Sequence, residues 1–190
     1  GCGERSVASS AMHFDVQRGD LANSGTMVGH RVNAITAENI DNLHGTLQGQ
    51  DVHLNARNDI NNHSGDIRAQ DSLLLEAGHD INVITTTNTQ HSSQGSRTNI
   101  DRIAGLYVNS GSLLANAGHN ITLTGAAIVN DSLVLDAERL GNTELIAGND
   151  FILNSVQESE TQTIQWDSGG ATRIASTTHT GTRIQTAGNV

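Results

Sequence analysis

Gly25, Gly45 and Gly65 recur at twenty-residue intervals, and their surroundings recur with them. Leu21-Ala-Asn23-Ser-Gly25-Thr-Met27 resembles Asn42-Leu-His-Gly45-Thr-Leu47 and Asn62-His-Ser-Gly65-Asp-Ile67. Ile40 and Ile60 lie upstream of the second and third glycines; Val32, Val52 and Leu73, then Leu54 and Leu75, lie downstream. A second block reads Gln70-Asp-Ser-Leu-Leu-Leu-Glu-Ala77, Ser110-Gly-Ser-Leu-Leu-Ala-Asn-Ala117 and Asn130-Asp-Ser-Leu-Val-Leu-Asp-Ala137. A third signature begins at Ala77-Gly78-His-Asp-Ile81 and returns at Ala117-Gly118-His-Asn-Ile121 and Ala147-Gly148-Asn-Asp-Phe151. Its copies step by forty and then thirty residues, so the period is interrupted. A repeat of this length decides the architecture before any local propensity is read.

Inside each unit the apolar residues alternate, as in Val52-His-Leu54-Asn-Ala56 and Ile121-Thr-Leu123. That period of two describes short, half-buried strands. Gly, Asn, Asp and Ser fill the gaps and suit tight or left-handed turns. A helix is excluded, because no window of helical length keeps an apolar stripe at a spacing of 3.6. Twenty residues hold about three short strands and three turns, one coil of an all-β parallel β-helix. A single coil cannot bury its own apolar face, whereas stacked coils share one. At about 4.8 Å per coil, eight or nine coils predict a rod on the order of 40 Å long. Equivalent residues then stack in columns: Ile, Leu and Val inside, with Asn23, Asn42 and Asn62 as one asparagine ladder. The chain has no proline, as expected where every coil donates N–H groups to its neighbour.

Two stretches leave the pattern, 85–107 and 156–186, and are expected to protrude as loops or hairpins between coils. Arg97, Arg102, Tyr107 and Trp166 are their candidate partner-binding residues, since loops carry function more often than scaffold does. Residues 1–20 match the repeat poorly, and residues 21–190 read as a single β-helical segment. Ala187-Gly-Asn-Val190 opens a further copy in mid-unit. An open coil edge there predicts end-to-end self-association.

Composition narrows the chemistry. The formal net charge is −10, and all ten cations are arginine, so the surface repels phosphate backbones and nucleic acid is not a partner. The apolar runs Leu73-Leu74-Leu75 and Gly125 to Val129 are far too short for a membrane span. The single cysteine, Cys2, rules out CxxC-type zinc and redox sites. His79 and His119 share a repeat position, but two coils of separation would hold them about 10 Å apart, too far to share one ion. His44 and His63 fall in neighbouring coils and read as turn residues. Asp51 and Asp71, and likewise Asp59 and Asp80, lie one coil apart next to turns, where their side chains cap backbone groups. No HExxH, GxSxG or Ca²⁺-binding nonapeptide is present. No catalytic, cofactor-binding or metal-ligating residues are therefore assigned, and no cofactor is expected.

The units IDNLHGTLQGQDVHLNARNDINNHSGDI and AGHDINV resemble the filamentous haemagglutinin repeats of large Gram-negative two-partner-secretion exoproteins. SRTNIDRIAGLYV, followed by AGHNITL and ESETQTIQWD, is most similar to the second repeat block of contact-dependent growth inhibition toxins. The resemblance covers nearly the whole chain from about Leu21. It implies a right-handed parallel β-helix in a secreted, cell-surface exoprotein exported through an outer-membrane barrel partner. In the growth-inhibition members, this block supports delivery of a C-terminal toxin into a neighbouring bacterium. It implies no catalytic residues, hence no enzyme. One alternative is an adhesin stalk attaching to a host or target-cell surface. The other is a polysaccharide-cleaving β-helix enzyme, which would gather Asp and Arg from three or more coils into a groove.

Overall fold

The computed structural model describes residues 5–8, 10–131, 141–166 and 169–189, with the backbone alone at 5, 6 and 8. A partial first coil holds β1 (Arg5–Ala8) and β2 (Ala11–Asp15). The next coil carries β3 (Leu21–Asn23), β4 (Thr26–Gly29) and β5 (Val32–Ala37). In the following two coils the second and third strands fuse: β6 (Ile40–Leu43) and β7 (Thr46–Ala56), then β8 (Ile60–His63) and β9 (Asp66–Ala77). A fourth coil opens with β10 (Ile81–Ile84) and is interrupted by β11 (Thr86–Ser92) and β12 (Gly95–Arg102). It resumes with β13 (Gly105–Val108) and β14 (Ser112–Ala117). Then come β15 (Ile121–Thr124), β16 (Ala127–Asn130) and β17 (Thr143–Ala147). Last are β18 (Phe151–Asn154), an excursion of β19 (Val156–Gln165) and β20 (Ala171–Thr180), and β21 (Arg183–Thr186).

Three walls of parallel strands enclose the core. One stacks β3-β6-β8-β10-β15-β18, the second β1-β4-β7-β9-β13-β16-β21, and the third β2-β5-β7-β9-β14-β17. The fold is a parallel β-helix. Seven strands on the second wall span roughly 29 Å at about 4.8 Å per step. Eight or nine coils and 40 Å are thus an overcount. A forty-residue step between Ala-Gly signatures is one coil plus an excursion, because β10 pairs directly with β15 (Ile81↔Ile121). Leu133 to Ala137, which close the third copy of the second block, lie outside the described residues; Leu113 pairs with Thr143. Residues 5–15 lie in the walls, with β1 parallel to β4 and β2 parallel to β5.

Each repeated letter of the sequence has a mechanical reason. Ile40, Ile60, Ile81 and Ile121 pair in register and are at most 1% exposed, forming one interior column. Burying each such side chain contributes about 1.5–3 kcal/mol. The asparagine ladder forms as expected: Asn23 Nδ2 donates to Asn42 Oδ1 (2.7 Å), and Asn42 Nδ2 to Asn62 Oδ1 (2.8 Å). Asn62 ends it by donating to the Gly65 and Gly105 carbonyls. The ladder dictates the glycines. A Cβ on Gly45 would overlap Asn23 Nδ2 and Asn42 Oδ1, and one on Gly65 would overlap Asn42 Nδ2 and Asn62 Oδ1. Gly25 lies at the ladder's start, its N–H donating to Asn23 Oδ1. The residues before Gly45 and Gly65 carry the left-handed turn, His44 at φ 59° and Ser64 at φ 47°.

A second ladder runs along the turn that opens each coil. Asp20, Asn39, Asp59, Asp80 and Asn120 each accept, through Oδ1, the backbone N–H of the equivalent residue one coil on, ending at Asp150. That is the job of the Asp/Asn before each core Ile. Ala37, Ala56, Ala77, Ala117 and Ala147 stack in a third column. Gly78, Gly118 and Gly148 follow it, where a Cβ would overlap the carbonyl of the coil before.

Candidate functional site on the projecting sheet

Both excursions leave from the same corner of the helix, after β10 and after β18, two steps apart on the first wall. They meet outside it. β11-β12-β19-β20 make one four-stranded antiparallel sheet, joined at its centre by Gly95–Thr98 of β12 against Ser159–Gln162 of β19. Apart from Val156 at its root, this sheet contributes no buried residue. Its order comes from backbone ladders and from the necks where it joins the scaffold.

Those necks are built by threonine and arginine. Thr85, 3% exposed, accepts the Ala104 N–H at Oγ1 and donates to the Gly125 carbonyl. Thr182 takes the corresponding role under the second hairpin, its one O–H shared between the Leu123 and Asn154 carbonyls, each 3.0 Å away. Gly125, at φ +55°, turns the intervening coil tightly beneath Val156, which leaves no room for a Cβ. Arg102 reaches back from the end of β12, donating Nε to the Ser64 carbonyl (2.9 Å) and Nη2 to that of Gly45 (3.0 Å).

The four residues singled out as an arm therefore separate. Arg102 is a buttress under the hairpin, held at the scaffold. Tyr107 lies in β13, in the second wall and not in the sheet, because the excursion ends at 102; Leu106 beside it faces the core and Tyr107 faces outward. The Arg68 guanidinium sits 4.9 Å from the Tyr107 ring centroid, and burial, then the Asp66 charge, pushes the phenol above its ordinary value. Arg97 stands on β12 opposite Glu160 of β19, donating Nε to Asn99 Oδ1. Trp166 lies at the end of β19, 57% exposed, its indole N–H donating to Thr172 Oγ1. Of the four, Arg97, opposite Glu160, and Trp166 are the exposed ones on the sheet.

Two open, polar hollows flank Arg97 and Glu160, one of ≈ 260 Å³ that includes Gln90, His91 and Thr161, the other of ≈ 190 Å³ that includes Asn99, Glu158 and Thr178. Their donors and acceptors suit a polar ligand such as an extended peptide or a glycan. Asp51 and Asp71 of the scaffold are engaged between coils. Asp51 accepts from Ser72 Oγ, and Asp71 accepts from Gln50 Nε2 and Ser110 Oγ. These contacts run from coil to coil as ladders.

His79 and His119 do come together, contrary to the spacing argument. The forty-residue step from one to the other is a single coil with a hairpin in it, so the His119 N–H bonds the His79 carbonyl (2.8 Å). Their rings stack with centroids 4.6 Å apart and planes inclined by 20°. Asp80 lies between them, its Oδ2 3.0 Å from His79 Nδ1 and its Oδ1 3.1 Å from His119 Nδ1. Burial alone would raise the Asp80 carboxyl; the Asn120 N–H, the His119 hydrogen bond and the two imidazole charges outweigh it and hold it below the usual carboxylate range. The available signal was the polar, repeat-free stretch between the two Ala-Gly-His copies, which marks an insertion within one coil.

Residues 28–106 match the family model of the hemagglutinin repeat. No curated protein and no solved structure matches the chain. The matched span runs from β4 to β13, so it includes the first hairpin and the asparagine ladder from Asn42 onward.

Proposed function

We propose that the chain is a length of rigid rod within a large secreted exoprotein on a Gram-negative cell surface, exported through a two-partner-secretion barrel, and that the projecting sheet is its contact surface. The reading is non-enzymatic. It rests on one observation: two excursions separated by more than fifty residues leave one corner of the scaffold and build a single solvent-exposed sheet. Polar excursions serving only as loops have no need to pair with each other.

Within that reading, the sheet supports delivery of a C-terminal toxin into neighbouring bacteria in contact-dependent growth inhibition. What supports the finer step is that two of the stretches resembling those toxins, 96–108 and 158–167, include most of the adjacent strands β12 and β19. Attachment without toxin is the second reading, favoured by the match to the hemagglutinin repeat over 28–106.

The test is a two-strain competition with the full-length exoprotein, in which 86–102 and 156–180 are replaced by short turns. Surface display and target-cell binding are scored alongside inhibition. Display and binding without inhibition establish delivery; loss of binding with display intact establishes adhesion. Unchanged binding and inhibition overturn the contact-surface reading.

A further inference from the structure

We infer that His79, Asp80 and His119 form a binding site for a divalent metal ion of the zinc type, clipping together the two ends of the coil that carries the first hairpin. The donor atoms of the three side chains all lie within 4.8 Å of one another. His79 Nδ1 lies 3.0 Å from Asp80 Oδ2 and His119 Nδ1 lies 3.1 Å from Asp80 Oδ1, so a carboxylate binding through both oxygens offers each imidazole an oxygen at about the separation of cis ligands. With metal–ligand bonds of about 2.0–2.2 Å, cis ligands stand roughly 3.0–3.5 Å apart. Two imidazoles and one carboxylate select Zn²⁺, Ni²⁺ or Cu²⁺ over Ca²⁺ and Mg²⁺, which prefer all-oxygen shells. The imidazoles are about half exposed, which leaves the remaining positions to water.

The ligands are held by the fold. The His79 N–H donates to the Asn58 carbonyl and the His119 N–H to that of His79, so both backbones are fixed in register. Asp80 Oδ1 accepts the Asn120 N–H at 2.9 Å, which orients the carboxylate before any ion arrives. Asp59, with Oδ1 3.5 Å from His79 Nδ1, stands one coil below as a further oxygen in reach. In the equivalent positions of the flanking coils the chain carries Asn58 and Asn149, so the histidine pair occurs at one place on this column, either side of the hairpin-bearing coil. A clip there closes a loop of forty residues, and closing a long loop removes more unfolded-state entropy than closing a short one. This inference is independent of the contact-surface reading.

Zinc titrations of the metal-stripped chain by calorimetry, and cobalt substitution read by visible absorption, test it. One equivalent should bind, and the thermal midpoint should rise with zinc. His79→Ala and His119→Ala should each weaken binding by at least about a hundredfold, Asp80→Asn by at least about tenfold; His91→Ala, on the exposed hairpin, should change nothing. Both His variants replace exposed side chains, and their circular dichroism should remain that of the parent. Absence of stoichiometric binding, binding that survives either His variant, or equal loss in His91→Ala overturns the inference and leaves an imidazole–carboxylate hydrogen-bonded stack.

Discussion

Asn42→Ala removes the centre of the asparagine ladder and shows what the ladder contributes. Asn42 is 1% exposed and makes both of its ladder bonds inside the core: it accepts from Asn23 at 2.7 Å and donates to Asn62 at 2.8 Å. Truncation leaves Asn62 Oδ1 without a donor in a dry column, and an orphaned buried polar atom costs about 1–3 kcal/mol. Asn23 Nδ2 falls back on the Thr46 carbonyl at 3.4 Å, a loss of about 1 kcal/mol more. The Gly45 carbonyl, which Asn42 also serves, keeps the Asp66 N–H and Arg102, and adds little. The expected destabilisation is about 3 kcal/mol, or roughly 6–12 °C in the melting temperature of a chain this size. Asn62→Ala alone should cost a comparable amount. The double variant should cost less than the sum by about 1–2 kcal/mol, because the orphan created by the first change is removed by the second. Urea unfolding followed by far-ultraviolet circular dichroism measures all four corners of the cycle. A loss below about 1 kcal/mol for Asn42→Ala, or strict additivity, refutes the argument that each amide is held by the next.

Ile60→Asp puts a charge between Ile40 and Ile81 at a position 1% exposed. It should cost several kcal/mol, while Ile152→Asp on the exposed terminal strand should not; an unchanged melting temperature for Ile60→Asp refutes the column. Arg102→Met cuts the anchors to Ser64 and Gly45, so amide exchange in β11 and β12 should speed up by about tenfold while the isoleucine-column amides stay protected. Tyr107 is the single tyrosine, so its absorbance titration reports one group. Burial and Asp66 raise its folded value above 10.0, so the linked stability is full below the unfolded value and lost as pH rises through the folded one. Tyr107→Phe should abolish that alkaline slope, Asp66→Asn should lower the midpoint, and a midpoint at the ordinary value refutes the assignment.

What the sequence discloses is what one coil decides by itself. The isoleucine column, the asparagine ladder and the Ala-Gly signature each repeat a local solution, so each is visible as a repeated letter. Counting coils is different, because an insertion changes the spacing without changing the stack, and for that reason His79 and His119 looked remote. Small slips mislead too. Twenty-residue arithmetic aligns Val32 with Val52, yet the register pairs Asn33 with Val52. Asn33 is buried there, its amide shared between the Met27 and Gln48 carbonyls. The pairing of Gly95–Thr98 with Ser159–Gln162 leaves no apolar alternation to read, since both faces of that sheet are wet.

That wet sheet explains why the scaffold is built as it is. Four polar strands with no buried face are marginal alone, and these draw their order from two necks and one seam. The necks stand two steps apart on the first wall, about 10 Å along the axis. The seam between β12 and β19 forms only while that offset is kept. Keeping it is the task of the intervening coil, β15 to β17, and of the turn ladder through Asp80, Asn120 and Asp150 that fixes coil spacing at each step. A change deep in this ladder should therefore reach the exposed sheet as a loss of the seam, before it reaches the core as unfolding.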